Sequence, residues 1–390
     1  MVNTHSPVVI FGAGATAACG GPITNQILPD AFRDLSGTNP PHSYQREGFF
    51  YTVEQFLLDN FHIPASQAAR EARHYPGLPL LLSLVDTAID RGQPFCGRNL
   101  DDLRNLRASI EYLIFAVLQE RLKSVPENNP YTELLQEISV RYGIEPIVIS
   151  LNYDLIADNV LFMMALTSRN EDTQNNSKRK SGRLPNYGCD IRTEAYQSRL
   201  HDYGLLLKPH GSLNWLYCPN CHRLDIGLAE EGPGQMYTRK VLNDLYQEIN
   251  LHEKYSCQGA GCNDCGSPVR PVLITPTHKK DYRNPHIAQV WYQAERVLRK
   301  ADRVFIIGYS LPDDDVEVIY LLKRGLSHLT NSAERITVVQ REDNKGVIQR
   351  YRSLFGERFD WQKGGFQEWL SRFKGRKPRR PLTRKSRSTA

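Results

Sequence analysis

Short apolar segments rich in β-branched residues alternate with helical segments along most of the 390-residue chain, and this alternation constrains the fold more than any other feature. The apolar segments read VVIF, PIVIS, GLLL, RPVLI, RVFII and RITVV. Their continuous apolar character is typical of parallel strands that are buried on both faces. Because helical periodicity fills most intervals between them, we expect an α/β protein with a doubly wound parallel sheet.

The rest of the chain divides around this sheet. We assign 7–30, 143–216 and 267–345 to the sheet core. The range 45–142 is predicted to be a helical insertion, because its apolar residues recur at three- and four-residue spacing. The range 217–266 carries a cluster of cysteines, and we expect it to form a small separate module.

The positive charge of the chain is concentrated in one segment. The formal net charge is +6, with 49 Lys and Arg against 43 Asp and Glu. Nine of those basic residues, and no acidic ones, fall within 371–390. We therefore predict a disordered basic tail there, suited to solubility or to weak, salt-dependent contact with nucleic acid. No run of about 18 apolar residues exists that would span a membrane.

Two Cys-x-x-Cys pairs predict a metal site. Cys218 and Cys221 form the first pair, and Cys262 and Cys265 the second. Four thiolates can hold one Zn²⁺ tetrahedrally, and such a closed site is structural. A metal-free pair of reduced loops is the alternative, and Cys257 competes for one ligand place. Since no basic residue precedes the first apolar segment, we expect a cytoplasmic protein with reduced cysteines.

A glycine turn follows the first predicted strand. It consists of Gly12, Ala13, Gly14, Ala15 and Thr16. Glycines at such a position let the backbone approach a pyrophosphate, and a helix start behind them favours its charge. The same turn is also used for packing alone, and the spacing does not decide between these two roles.

Polar side chains follow three other strands. Asn152 and Asp154 come after PIVIS, and His210 comes after GLLL. Ligands of an open parallel sheet lie outside the carboxyl ends of its strands, where an imidazole can act as a general base. Alternatively, Asp154 caps the next helix and His210 is a hydrogen-bonded structural residue. A later turn, at 308–310, is predicted to contact phosphate or ribose.

Taken in this order, these motifs resemble the sirtuin family. The family match comprises GAGAT, SLNYD, KPHGS, the paired Cys-x-x-Cys, IIGYSL and ITVVQ. The resemblance implies one domain over 1–370, with a Rossmann-like NAD-binding core and a structural Zn²⁺ module of the zinc-ribbon type. NAD⁺ would be bound by the glycine turn, Asn152, Asp154 and four further positions, which are Gly308, Tyr309, Ser310 and, where an Asn is usual, Gln340.

The resemblance also implies roles for three candidate catalytic residues. Asn152 would position water or the ribose hydroxyls, and Asp154 would hold the nicotinamide carboxamide. His210 would activate a ribose hydroxyl or the water. The Phe-Arg pair of protein-deacylating sirtuins has no match after the glycine turn, where the sequence reads CGGPITNQIL.

The helical insertion is also larger than a deacylase needs. Four segments are instead similar to the divergent sirtuin-like branch of bacterial antiphage defence, and they read VEQFLLDN, RPVLITPTHKKDY, HIAQVWYQAERVL and IIGYSLPDDD. That likeness implies an NAD⁺ hydrolase that releases nicotinamide and ADP-ribose under the control of a partner ATPase or nuclease. We expect a homo-oligomer, with the helices of 51–142 as its interface. An NAD-dependent deacylase or ADP-ribosyltransferase, and a silent NAD- or ADP-ribose-sensing subunit, remain as alternatives.

Overall fold

A computed structural model of the protein describes most of the chain. The described residues are 7–32, 48–61, 63, 75–122, 125–172, 185–191, 204–226, 262, 264–267, 269–275, 284–329 and 335–375. Cys257, most of the segment between the two cysteine pairs and the end of the basic tail lie outside these ranges.

The described residues contain a six-stranded parallel sheet at the centre of the molecule. Its strands are β1 (Pro7–Phe11), β2 (Ile147–Ser150), β3 (Leu205–Leu207), β7 (Arg303–Ile307), β8 (Ile336–Val339) and β9 (Asp360–Gln362). They are arranged in the order β3-β2-β1-β7-β8-β9, and every pairing is parallel. Two halves therefore diverge from β1, which is the strand order of dinucleotide-binding sheets.

Helices account for much of the remaining described chain. They are α1 (Ala13–Ala17), α2 (Ile27–Asp30), α3 (Phe49–Phe61), α4 (Leu78–Arg91), α5 (Leu100–Leu122), α6 (Pro130–Tyr142), α7 (Ile156–Asp172), α8 (Pro285–Leu298), α9 (Val316–Gly325), α10 (Lys345–Phe355) and α11 (Gly365–Gly375). One group, α1, α6, α7 and α11, packs together, and a second group consists of α8, α9 and α10. Every residue of β1 and β2 is buried, as a sheet covered on both faces requires. The predicted doubly wound α/β fold is confirmed.

The predicted helical insertion contains α3, α4, α5 and α6. Helix α5 is the centre of this group, since α2, α3 and α4 all pack against it. Its apolar side chains, including Leu113, Ile114 and Phe115, are fully buried. The block is therefore joined to the sheet domain through one continuous hydrophobic core.

A second, smaller sheet is antiparallel. It consists of β4 (Gly211–Tyr217), β5 (Leu224–Ile226) and β6 (Arg270–Leu273), in the order β5-β4-β6. The RPVLI segment was expected to join the parallel sheet, and this expectation is wrong, because it forms β6. Pro271 has no N–H to donate, which suits β6 to the edge position that it takes.

The carboxyl-terminal part extends further than expected. The parallel sheet gains β9 beyond residue 345, where the predicted core ended. Helix α11 continues to Gly375, five residues into the range assigned to the disordered tail, because Trp369 and Phe373 are buried on one of its faces. Its basic residues Arg372 and Lys374 are exposed and pair with acidic side chains. None of the described helices is long and apolar enough to cross a membrane.

Candidate active site at the carboxyl edge of the parallel sheet

The turn after β1 is interlocked with the turn after β7. The amide of Gly12 donates to the carbonyl of Ile307 at 2.9 Å, and that of Gly14 donates to Gly308 at 2.8 Å. A Cβ on Gly12 would lie 2.6 Å from the Cα of Tyr309. These two glycines therefore allow the two turns to pack closely, as the packing alternative predicted. Phosphate binding by the turn stays a prediction.

The interlocked turns lie where the sheet reverses direction. From β1, one half of the sheet continues through β2 and β3, and the other through β7 and β8. A crevice forms outside the carboxyl ends at such a point, and ligands of doubly wound proteins bind there. Ala13 and Gly14 are half-buried at this edge, whereas Ala15 and Thr16 are buried, and the amide of Ala15 donates to Gly12.

Asn152 links the turns after β1 and β2. Its Nδ2 donates to the carbonyl of Gly12 and to Oγ1 of Thr16, both at 2.9 Å. The side chain of Thr16 is thus part of a buried hydrogen-bond network in this structure. Asn152 itself is 9% exposed, so it lies at the boundary between that network and the edge of the sheet.

Asp154 accepts two hydrogen bonds at the bottom of the same network. Its Oδ2 accepts from the hydroxyl of Thr16, and its Oδ1 accepts from the amide of Ile156 at 3.0 Å. The second bond caps the start of α7, as the structural alternative predicted. Burial raises the pKa of the Asp154 carboxyl, and the positive charge of Lys208 opposes this rise.

Lys208 is a buried cation that the sequence analysis did not single out. Its side chain is fully buried, and Nζ donates to Asp158 at 3.0 Å, to the carbonyl of Asp154 at 2.7 Å and to Ser212 at 2.6 Å. A lysine directly after the apolar GLLL strand was the available signal. Lys208 joins the end of β3 to the loop after β2 and to the start of β4.

His210 lies at the junction between the two sheets. Its Nδ1 is 3.2 Å from the carbonyl of Leu151, and its Nε2 is 3.7 Å from Oδ1 of Asp315. Its own carbonyl accepts from the amide of Ile274, just beyond β6, at 2.8 Å. The imidazole therefore contacts the residue that precedes Asn152, and it also lies close to the turn after β7.

The turn at 308–310 is held mainly through its backbone. The carbonyl of Tyr309 accepts hydrogen bonds from Nε2 of Gln340 and from the hydroxyl of Tyr351. The carbonyl of Ser310 accepts two from Arg350, at 3.0 and 3.2 Å. Gln340 thus supports the turn in this structure, and the side chain of Ser310 is exposed at the sheet edge.

The four predicted metal-ligating cysteines come together. The sulfur atoms of Cys218, Cys221, Cys262 and Cys265 all lie within 4.8 Å of one another. Two cross-pair separations, Cys218 to Cys265 and Cys221 to Cys262, are 3.5 Å. Sulfurs bound to one tetrahedral Zn²⁺ at about 2.3 Å lie roughly 3.8 Å apart, so the set fits zinc closely.

The two cysteine loops have the same backbone pattern. In each, the first cysteine donates its amide to the carbonyl five residues later, at 2.8 Å, and accepts at 2.9 Å from the amide four residues later. The donors of the second bond, His222 and Gly266, both have a positive φ. Hydrogen bonds from Ser267 and Asn220 lower the pKa of the Cys265 thiol to about 6, whereas burial and the neighbouring sulfurs raise the pKa of the Cys221 thiol to about 12.

The cysteine module is attached to helix α8. His286 contacts the carbonyl of His222 through Nε2 at 2.8 Å, and its ring packs edge-on against Tyr217. Trp291 of the same helix donates to the carbonyl of Pro209 at 3.0 Å. The module and the loop that carries His210 therefore rest on a single helix.

Comparisons with known proteins found similarity at the level of solved structures. No family model matches the chain, and no curated protein does. A Sir2 enzyme solved to study mechanism and regulation has 17% identity and a TM-score of 0.39, covering 95% of this chain and 94% of that one. A Sir2 complex with a p53 peptide and NAD⁺ has 11% identity and a TM-score of 0.40, covering 95% and 92%. A Sir2 homologue with ADP-ribose has 13% identity and a TM-score of 0.36, covering 95% and 90%.

Proposed function

We propose that the protein is a sirtuin-like NAD⁺ hydrolase that cleaves the bond between nicotinamide and ribose. One observation carries the proposal. Asn152, Asp154 and His210 converge with two interlocked glycine turns at the carboxyl edge of a parallel sheet with the dinucleotide-binding strand order. A dinucleotide lying across this edge would place its pyrophosphate by the turns and its nicotinamide ribose by the three side chains.

The chemistry suits these groups. Nicotinamide leaves as a neutral molecule, so its loss from NAD⁺ generates an oxocarbenium-like ribose that needs electrostatic stabilisation and a well-placed nucleophile. In the proposed reaction, a water oxygen bonds to the ribose carbon as the carbon–nitrogen bond breaks, and its electron pair goes to nicotinamide. Asn152 would position the water or the ribose hydroxyls, Asp154 would hold the carboxamide, and His210 would accept the proton.

The cysteine module supplies rigidity in this proposal. Cys218, Cys221, Cys262 and Cys265 would hold a Zn²⁺ ion, which fixes the two loops that flank β4 and β6. Four thiolates leave no open coordination position for water, so the ion would be structural. The residue just after β6 contacts His210, because the amide of Ile274 donates a hydrogen bond to the carbonyl of His210.

We further propose that the protein acts in bacterial antiphage defence as a regulated effector. The motif order and the helical block packed around α5 support this setting. An unregulated NAD⁺ hydrolase would deplete its own cell, so control by a homo-oligomer or by a partner ATPase or nuclease is part of the proposal. The basic tail would add a weak contact with nucleic acid.

The decisive experiment is incubation of the purified protein with NAD⁺, with and without an acetylated peptide. We expect nicotinamide and ADP-ribose to be released without the peptide, and chromatography measures both products. Strict dependence on the peptide would establish a deacylase instead, and modification of a protein would establish an ADP-ribosyltransferase. NAD⁺ binding without turnover, in the presence of candidate activators, would favour the sensing subunit.

The site residues are tested with Asn152→Ala and His210→Ala. General acid–base groups typically contribute about 10²- to 10⁴-fold, and we expect a loss of kcat in that range from His210→Ala. His328→Ala is a matched control, because its ring bonds to the carbonyl of Ala301, at the opposite edge of the sheet. Turnover that persists in His210→Ala, with unfolding temperatures unchanged, would contradict the assignment.

A further inference from the structure

We infer that Asp315 is a positioning residue of this site, which stabilises the protonated form of the His210 ring. The catalytic meaning of the inference rests on the proposed function, whereas the pairing itself rests on geometry alone. Asp315 follows His210 by 105 residues in the sequence, at the end of the turn between β7 and α9. Its Oδ1 lies 3.7 Å from Nε2 of His210.

The tautomer of His210 follows from its other contact. Nδ1 lies 3.2 Å from the carbonyl of Leu151, and a carbonyl can only accept a hydrogen bond. Nδ1 therefore carries a proton, which leaves Nε2 as the basic nitrogen. Because Nε2 is the atom that faces Asp315, a proton taken up there is held between the ring and a carboxylate.

Burial strengthens this pairing. The side chains of His210 and Asp315 are 9% and 7% exposed. Charges at this separation interact more strongly in a partly desolvated site than in water. The carboxylate would thus favour the imidazolium that forms when His210 accepts a proton, as a carboxylate beside a catalytic histidine does.

Asp315 is itself held in place. Its second oxygen, Oδ2, accepts a hydrogen bond from the hydroxyl of Tyr309. Burial, and then the nearby Asp315 charge, raise the pKa of that hydroxyl well above its ordinary value, so the tyrosine stays a donor. The backbone of Tyr309 is in turn fixed by Gln340 and Tyr351. One oxygen of the carboxylate therefore accepts the hydrogen bond from Tyr309, and the other faces His210.

The backbone of the turn is unusual where it leads to Asp315. Leu311 has a φ of 52°, although it is not a glycine, and its side chain is 1% exposed. A branched residue in the left-handed region costs about 1–2 kcal/mol. Such conformations persist when packing enforces them, and they concentrate at functional sites. The strained turn directs the chain so that Asp315 reaches the ring.

The proton balance of the step is simple. As the water oxygen bonds to the ribose carbon, one water proton moves to Nε2 of His210, and the C–N electron pair leaves with neutral nicotinamide. Asp315 stabilises the resulting imidazolium and takes no proton itself. The imidazolium then releases its proton to solvent, so His210 returns to its starting state.

Other ionisable groups also face this region. Asp154 lies on the turn after β2, and Tyr153 beside it donates to the carbonyl of Ile274. Burial raises the pKa of Tyr153, as do the charges of Asp315 and, less strongly, Glu111, while Arg107 of α5 opposes them. A change in the titration of His210 can therefore be assigned to Asp315 only with a variant that removes the charge of Asp315 alone.

The test is Asp315→Asn in the full-length protein, with Asp313→Asn as the matched control. Asp313 lies two residues earlier on the same turn but is exposed. With histidine labelled in its ring, the His210 resonance is identified among the 11 histidines by its loss in His210→Gln. We expect its titration midpoint to move to lower pH in Asp315→Asn and to be unchanged in Asp313→Asn.

Kinetics provide the second measurement. We expect Asp315→Asn to lower kcat for NAD⁺ about tenfold or more with little change in KM, because the residue acts through the general base. An unchanged His210 titration in folded Asp315→Asn would overturn the inference even if NAD⁺ is cleaved. A shifted titration in a protein that never cleaves NAD⁺ would keep the pairing and refute the proposed function alone.

Discussion

Replacement of Gly308 by alanine tests whether the two interlocked turns can exist with any side chain between them. Gly308 has a φ of 65°, and a Cβ added there would lie 2.2 Å from the backbone nitrogen of Ala15. Gly92, at the end of α4, has a φ of 64° but has nothing within 4 Å of an added Cβ. The two glycines therefore share a backbone conformation, but only at Gly308 would an added Cβ collide with a neighbouring atom.

The expected magnitudes follow from this difference. A left-handed alanine costs about 1–2 kcal/mol at either position. At Gly308, the added methyl group also overlaps the backbone of the neighbouring turn, and overpacking typically costs about 1–3 kcal/mol more. We thus expect Gly92→Ala to lose about 1–2 kcal/mol of unfolding free energy and Gly308→Ala to lose roughly 2–5 kcal/mol.

Urea unfolding followed by circular dichroism measures both values, provided that the slope of each transition is unchanged. The stability of Gly308→Ala is expected to fall clearly below that of Gly92→Ala, and any NAD⁺ binding should weaken with it. Equal losses in the two variants would refute the reasoning, because the turns would then have room that the structure does not show.

Two further predictions concern the elements around the site. Lys208→Met should destabilise the protein by about 3–5 kcal/mol, since Asp158 would be left charged and buried; Lys363→Met, which breaks an exposed pair, should cost less than about 1 kcal/mol in the same urea assay. Cys262→Ser should lose the zinc that elemental analysis is expected to find at one ion per chain, whereas Cys96→Ser, at an exposed cysteine outside the cluster, should retain it.

The sequence predicts most of the sheet because its strands are continuous apolar runs. Such a run indicates by itself a strand that is buried on both faces. β6 shows the limit of this reasoning. Its apolar letters look like those of a buried strand, but in the structure Arg270 is exposed, and Pro271 and Leu273 are only half-buried. The proline was the signal that the segment forms an edge strand. β9 is three half-buried residues long and carries no such signal.

The candidate site was predictable only where its residues follow strand ends. Asn152, Asp154 and His210 have this position, and the structure places their turns at the same edge of the sheet. The contacts around them were not predictable, because they are made by Thr16, Lys208 and Asp315, which come from three distant segments. The positive φ in this turn belongs to Leu311 and not to a glycine, so the sequence does not reveal the turn that brings Asp315 to His210.

The position of His210 connects the two sheets physically. β3 ends at Leu207 and β4 begins at Gly211, so the chain passes from the parallel to the antiparallel sheet within the loop that carries the imidazole. Gly211 has a φ of 81° and lies so close to Val272 of β6 that a Cβ would collide with its carbonyl oxygen. The backbone on both sides of His210 is thus fixed, by Lys208 on one side and by the paired β4 and β6 on the other. Because the cysteine loops brace those two strands, a distortion of the metal cluster should reach the imidazole through only a few covalent and hydrogen bonds.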